Sequence, residues 1–223
     1  REGFARPLGI AVNAQADLAL AEEQPGRVSV FDAQWNLLYQ LGQGDGEFQL
    51  PNHLAWDAVP GSNTLYVADS KANLIKVYAG PNLIRTFGGA GTGNGQFDFP
   101  AGLCIRTNGE VCVVDQNNDR VQVFDRAGNF LRRFGLGSSK PSGRSQAVLA
   151  DAAGRLQVAD SFQGTVKVFD ADTGALLANI GSFGQQPGQL DAPAGLALDS
   201  LNRLFGTSAD ARMSVCPRYS LTG

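Results

Sequence analysis

The sequence predicts an all-β chain, a β-propeller of four-stranded antiparallel blades with five repeats visible. Three observations carry that prediction. Glycines that close a phrase fall at Gly42, Gly88, Gly135 and Gly181, spaced 46, 47 and 46 residues apart. Apolar residues within each phrase alternate by two, as a half-buried strand requires, and not by three and four as a helix would. Each phrase holds four such runs separated by Gly, Asn and Asp turn signals. A period near 45 residues with four strands per unit is what a propeller blade needs.

The third phrase is the template. Pro100–Ile105 makes a first strand, Asn108-Gly109 a turn, and Val111–Asp115 a second strand. Arg120-Val-Gln-Val-Phe124 follows, then a turn at Gly128-Asn129 and a closing run from Phe130 to Gly135. The other phrases match in register. Their opening residues are Pro7, Pro51, Pro100, Ser145 and Pro193, and the acid ending the second strand is Glu22, Asp69, Asp115 and Asp160, with Ser208 in the fifth slot. The third strand recurs as Arg27–Phe31, Ile75–Tyr78, Val121–Phe124 and Val166–Phe169, with Met213–Cys216 as a degraded fifth version. Residues 1–223 are therefore expected to form one propeller domain, with blades at 1–46, 47–95, 96–143, 144–188 and 189–223. A start on a first strand and an end at Gly223 favour five self-contained units.

Pro-x-Gly-Leu at Pro100, Val-Val-Asp115, Asn-Asn-Asp-Arg-Val-Gln-Val-Phe up to Phe124, and Gly-Asn-Phe with Phe134-Gly135 together resemble the NHL repeat. The resemblance covers essentially the whole chain. It implies a propeller that usually has six blades, so a sixth blade stands as the alternative to five. Some relatives with similar repeats are metal-dependent lyases or lactonases, and others bind RNA through a basic face. Animal relatives also carry RING and B-box modules, and no such cysteine-rich module is present in these residues.

Topology then locates a candidate site. In an antiparallel four-strand blade, the long connections between blades and the loops between second and third strands emerge at one end. Function concentrates on long loops held by a rigid scaffold, so this long-loop end is the candidate binding surface. His53, the one histidine, replaces the Gly9, Gly102, Ala147 and Gly195 of the other phrases on a channel-lining strand, with Asn52 and Trp56 beside it. Phe48 recurs in outline as Phe97 and Leu190, the pattern of a plug between blades. Asp69, Asp115 and Asp160 form a ring of carboxylates. Acids at strand ends bond turn amides, and Arg27, Arg120 and Arg212 are positioned to pair with them. Trp35 falls in a turn between third and fourth strands, at the surface or a blade edge.

Composition bounds the function. The formal net charge is −3, and acids outnumber bases on the long-loop end, so a phosphate backbone is not attracted and no nucleic-acid partner is expected. No apolar run approaches the roughly 20 residues of a spanning helix, and the N-terminus carries no apolar leader segment. The compartment and the oligomeric state stay open. One histidine cannot build a multi-histidine zinc site, and no nucleophile elbow is present. Gly88–Gly93 is glycine-rich but precedes a strand rather than a helix. No catalytic residue, metal ligand or cofactor is assigned. The reading is a non-catalytic scaffold for a protein, peptide or polymer, with a lyase- or lactonase-like enzyme and an RNA-binding propeller as the alternatives. Cys104, Cys112 and Cys216 make no disulfide framework. A two-residue loop at Asn108-Gly109 sends Cys104 and Cys112 to opposite faces, whereas a three-residue loop with a bulge sets them opposite each other.

Overall fold

In the computed structural model the described residues are 6–42, 47–57, 59, 62–137, 145–184, 186, 189–199, 203–208 and 219–220. They form five antiparallel sheets in chain order. Blade one is β1 (Pro7–Val12), β2 (Leu18–Glu22), β3 (Arg27–Phe31) and β4 (Leu37–Leu41). Blade two is β5 (Pro51–Trp56), β6 (Thr64–Asp69), β7 (Leu74–Ala79) and β8 (Asn82–Gly88). Blade three is β9 (Pro100–Ile105), β10 (Val111–Asp115), β11 (Arg120–Phe124) and β12 (Phe130–Gly135). Blade four is β13 (Ser145–Ala150), β14 (Arg155–Asp160), β15 (Thr165–Asp170) and β16 (Leu176–Ile180). Blade five shows β17 (Pro193–Leu198), β18 (Arg203–Ser208) and β19 (Tyr219–Ser220).

Within each sheet the strands pair in sequence order, and β1, β5, β9, β13 and β17 pack successively on one another. This is a propeller arrangement with the first strands innermost. Close approach of the inner strands explains the small residue after the opening proline: a Cβ on Gly9 would lie 2.4 Å from the carbonyl oxygen of Asn52.

The core lies between sheets rather than inside one. Each blade has a leading face toward the blade before it and a trailing face toward the blade after. Ala19, Ala21, Val28, Val30 and Leu41 on the trailing face of blade one meet Leu54, Trp56, Leu65 and Tyr78 of blade two. The same pattern joins blades two and three through Tyr66, Ile75, Phe97, Leu103 and Phe124, and blades three and four through Val114, Val121, Val148 and Phe169. Burying apolar side chains at about 25 cal/mol per Å² is the main force holding each junction.

The closing glycine and the plug after it are one device. Gly88 has φ +113, and a Cβ there would meet the Phe97 ring at 2.7 Å and the Asn73 carbonyl at 2.8 Å. Phe97 is fully buried, and Phe48 and Leu190 are buried at the corresponding junctions. At the opposite end the turns are local. Asn13, Asp32, Asp125 and Asp151 each accept the amide of the residue four positions on, an Asx geometry that closes a turn without outside help.

Two expectations change. Cys104 does stand opposite Cys112, but the hairpin loop runs from Arg106 to Glu110 and is longer than either loop considered. Arg106 replaces the usual Asx residue, and the two buried thiols share the junction with blade four. Hydrogen bonding to Cys112, then burial, pushes the Cys104 thiol up. In blade five, Tyr219 and Ser220 pair with Leu204 and Arg203, the register that Phe169 and Asp170 occupy in blade four. The third-strand position therefore ends at Tyr219, three residues later than the Met213–Cys216 reading. Met213–Cys216, Arg212 and Gly223 themselves lie outside the described residues.

Candidate functional site

The long-loop end is assembled from four buried acids. Glu22, Asp69, Asp115 and Asp160 end the second strands with no solvent exposure. An ionised carboxylate so placed needs several donors, and each finds them. Asp115 accepts the Asp98 amide at 2.7 Å, the Arg120 Nε at 2.7 Å, the Asn118 Nδ2 at 2.9 Å and the Gln122 Nε2 at 3.1 Å. Arg120 then reaches back to the carbonyl oxygens of Thr92, Gly93 and Gln96 on the loop leaving blade two. One ion pair thus ties two loops and two blades.

The other junctions repeat the plan with different cations. Asp69 accepts the amides of Gln49 and Leu50 and the Lys76 Nζ at 2.9 Å. Lys76 also bonds the Glu47 carbonyl oxygen and lies 4.7 Å above the Phe48 ring. Asp160 accepts the amides of Phe162 and Gln163 and pairs with Lys167, which donates to the Leu136 carbonyl oxygen at 2.8 Å. In blade one, Arg27 makes a two-pronged pair with Glu22.

Sequence reasoning found Arg27 and Arg120 and missed Lys76 and Lys167. The missing signal was the strand period itself. A cation two residues further along the third strand stays on the same face and reaches the same acid.

His53, Asn52 and Trp56 lie on β5, where the inner strands meet. His53 is half-buried, and its Nδ1 accepts the Leu103 amide of β9 at 3.4 Å. The neutral ring is the form that accepts this bond, and burial pushes its pKa down from 6.5 to about 4. Trp56 is buried against blade one and donates its indole N–H to the Ala11 carbonyl oxygen at 3.4 Å. Asn52 is half-buried on the same strand. The structure therefore brings His53 and Trp56 into blade junctions, not onto a common open surface. Trp35 sits at the other end of the sheet, exposed in its turn, with its ring 6.1 Å from that of Phe31.

What faces outward at the long-loop end is a different set. Phe162, in the loop after β14, and Phe183, in the connection after β16, are 47% and 62% exposed. The two loops abut: a Cβ on Gly164 would lie 2.5 Å from the Cα of Phe183. Lys71, Asp98 and Asn117 are exposed on neighbouring loops. Nothing in the repeat marked Phe162 or Phe183, because each falls where the phrase varies.

Among the described residues, no group of three or more His, Cys, Asp or Glu side chains is arranged to hold a metal ion. Likewise among them, no helix is long and apolar enough to cross a membrane.

With this geometry in hand, similarity to known proteins is informative. The NHL repeat family model matches residues 97–124, the core of blade three. The protein brain tumor of Drosophila melanogaster is 31% identical over 137 residues, covering 59% of this chain and 12% of that protein. The human E3 ubiquitin-protein ligase TRIM32 is 30% identical over 102 residues, covering 40% of this chain and 16% of that protein. The chain thus spans less than a fifth of the length of these two curated relatives. A streptogramin B lyase structure superposes with a TM-score of 0.71 over 99% of this chain and 70% of the other, at 13% identity, a likeness of fold alone. The repeat phrase, the sheets it builds and these relatives converge on an NHL-repeat β-propeller, with the NHL family model itself matching residues 97–124 of blade three.

Proposed function

We propose that this chain is a non-catalytic binding platform that recognises a protein, peptide or polymer through the loops of its long-loop end. The observation that carries the reading is the pairing of two exposed phenylalanines, Phe162 and Phe183, on abutting loops above a buried ionic frame. Exposed aromatic side chains on rigid loops contribute large contact area at little ordering cost, and they dominate binding energy in protein interfaces. The charged groups beneath them are already engaged in holding blades together. That engagement favours a platform over an RNA-binding face, because Arg120, Lys76 and Lys167 point into junctions. Similarity to a ubiquitin ligase, whose work requires capture of a protein, supports the same class of partner.

The test is a capture assay with the folded chain as bait, compared across variants. The double variant Phe162→Ala/Phe183→Ala is expected to weaken capture about tenfold or more, while Trp35→Ala at the opposite end leaves it intact. Loss of capture in Trp35→Ala with full capture by the double variant would overturn the reading.

A further inference from the structure

Two of the chain's three cysteines stand opposite each other across one strand pair. Cys104 on β9 faces Cys112 on β10, both as free thiols, in the junction with blade four. The pairing is peculiar to blade three. The matching positions hold Ala11 and Ala19, Ala55 and Tyr66, Leu149 and Gln157, and Ala197 and Phe205 in the other blades. Blade one fills the same pair with two alanines, so junction packing alone does not call for two thiols.

The register sets their separation. The Arg106 amide donates to the Glu110 carbonyl oxygen at 2.9 Å, which makes these two a hydrogen-bonded pair. Antiparallel pairs alternate in kind, so Cys104 and Cys112, two steps along, form another such pair with Cα atoms about 5.5 Å apart. A disulfide spans Cα separations of about 4.4–6.8 Å. The ladder is regular at this point, its shift falling between Val113 and Asp115. Both side chains pack in one cluster with Val114, Val121, Val148 and Phe169, and the two thiols hydrogen-bond to each other. Cys112 has no solvent exposure, whereas Cys104 keeps 9%. Arg106 acts electrostatically on Cys104 and Arg132 on Cys112, and Glu110 and Asp172 pair with both guanidiniums.

We propose that this pair is an oxidation site: hydrogen peroxide converts Cys104 and Cys112 into a disulfide that pins the innermost strand of blade three to its neighbour. Cys104, the thiol that solvent reaches, loses its proton and attacks one peroxide oxygen. The O–O bond breaks, the departing hydroxide takes up that proton as water, and Cys104 becomes a sulfenic acid. The Cys112 sulfur then attacks the Cys104 sulfur, the S–O bond breaks, and hydroxide leaves with the Cys112 proton as a second water. The two thiols lose two electrons and two protons, and one peroxide becomes two waters. Small oxidants are favoured because so little of Cys104 is exposed. Hydrogen bonding to Cys112, then burial, keeps Cys104 in the thiol form, so the first step is slow near neutral pH and quickens as pH rises. The site is independent of the long-loop platform.

Peptide mapping by mass spectrometry tests this on the wild-type chain. The folded, reduced protein is treated with hydrogen peroxide, quenched, alkylated in urea and cut with trypsin. Cleavage after Arg106 parts Cys104, in residues 86–106, from Cys112, in residues 107–120, and Cys216 falls in a third peptide, residues 213–218. The expected product is the first two peptides joined, lighter than their sum by two hydrogens, at a rate independent of protein concentration. Dithiothreitol should part them, and the joined chain should unfold at a higher urea concentration than the reduced one. Cys112→Ala, which installs the residue blade one carries there, removes the second thiol, so dimedone should trap the sulfenic acid at Cys104. Two alkylated thiols after peroxide, sulfinic acids in place of a disulfide, or linkage only to Cys216 or between chains would overturn the proposal. So would a lower urea midpoint in the joined chain, which would mean that the bond distorts the strands it should pin.

Discussion

At the long-loop end, Asp115 has no solvent exposure and its carboxylate binds the Asp98 amide and the Asn118 side chain from two loops and the Arg120 and Gln122 side chains from β11. At the short-turn end, Asp125 is partly exposed and binds the amide and side chain of Asn129, four residues along the same turn. Both are aspartates at a strand-to-strand connection, yet one joins blades and the other only shapes a loop. The difference lies in what each carboxylate replaces. Asp115 fills a buried junction where its charge must be matched by Arg120, whereas Asp125 exchanges water for a local partner.

Blade three makes the largest predicted break in this contrast. Asp115→Ala leaves the Arg120 guanidinium buried and unpaired, a situation that costs about 3–5 kcal/mol. Urea unfolding should report that loss. Removing both partners in Asp115→Ala/Arg120→Ala should cost less than the two single losses summed, because neither charge is then stranded. Additive losses would show that the pair does not act as a unit.

His53 sharpens the comparison through pH. Its pKa in the folded chain lies near 4, below the 6.5 of an exposed imidazole. Folding therefore favours the neutral ring, and the associated stability is complete above pH 6.5 and is lost as pH falls from 6.5 toward 4. The full shift corresponds to at most about 3 kcal/mol. Partial exposure of the ring makes the observed loss smaller. Wild type and His53→Gln should have parallel stabilities above pH 6.5 and converge below it. A constant difference across that window would mean the Leu103 amide does not depend on the neutral ring.

The blade repeat was legible because the backbone demands it. Gly42 and Gly88 adopt positive φ where a Cβ would strike the plugs Phe48 and Phe97, so glycine and aromatic recur at fixed spacing. The acids were legible for the same reason, since each ends a strand beside a loop that needs an acceptor. The cations were half legible: Arg27 and Arg120 follow the acid by five residues, but Lys76 and Lys167 follow by seven. Either spacing serves, so the sequence holds no single position to find. The facing of Cys104 and Cys112 turned on the loop Arg106–Glu110, whose length recurs at Asn13–Asp17, Asp151–Arg155 and Asp199–Arg203. Arg106 keeps that length and bonds Glu110 and Asp172 where the others place an Asx residue. Phe162 and Phe183 were invisible because their exposure depends on how two loops abut, which no repeat position encodes.

The smallest expected effect is the one that most directly checks the contrast between the ends. Asn129 holds the Asp125 carboxyl below its usual range through a side-chain bond and then an amide bond, so the turn does engage the ionised form. Solvent surrounds it, however, and the Asp125 N–H and Asn129 carbonyl still close the turn without the side chain. Asp125→Ala is therefore expected to leave the urea midpoint essentially unchanged while amide exchange quickens at Ala127, Gly128 and Asn129. A midpoint shift as large as that of Asp115→Ala would show that the short-turn end also binds blade to blade, and the division of labour between the two ends would fail.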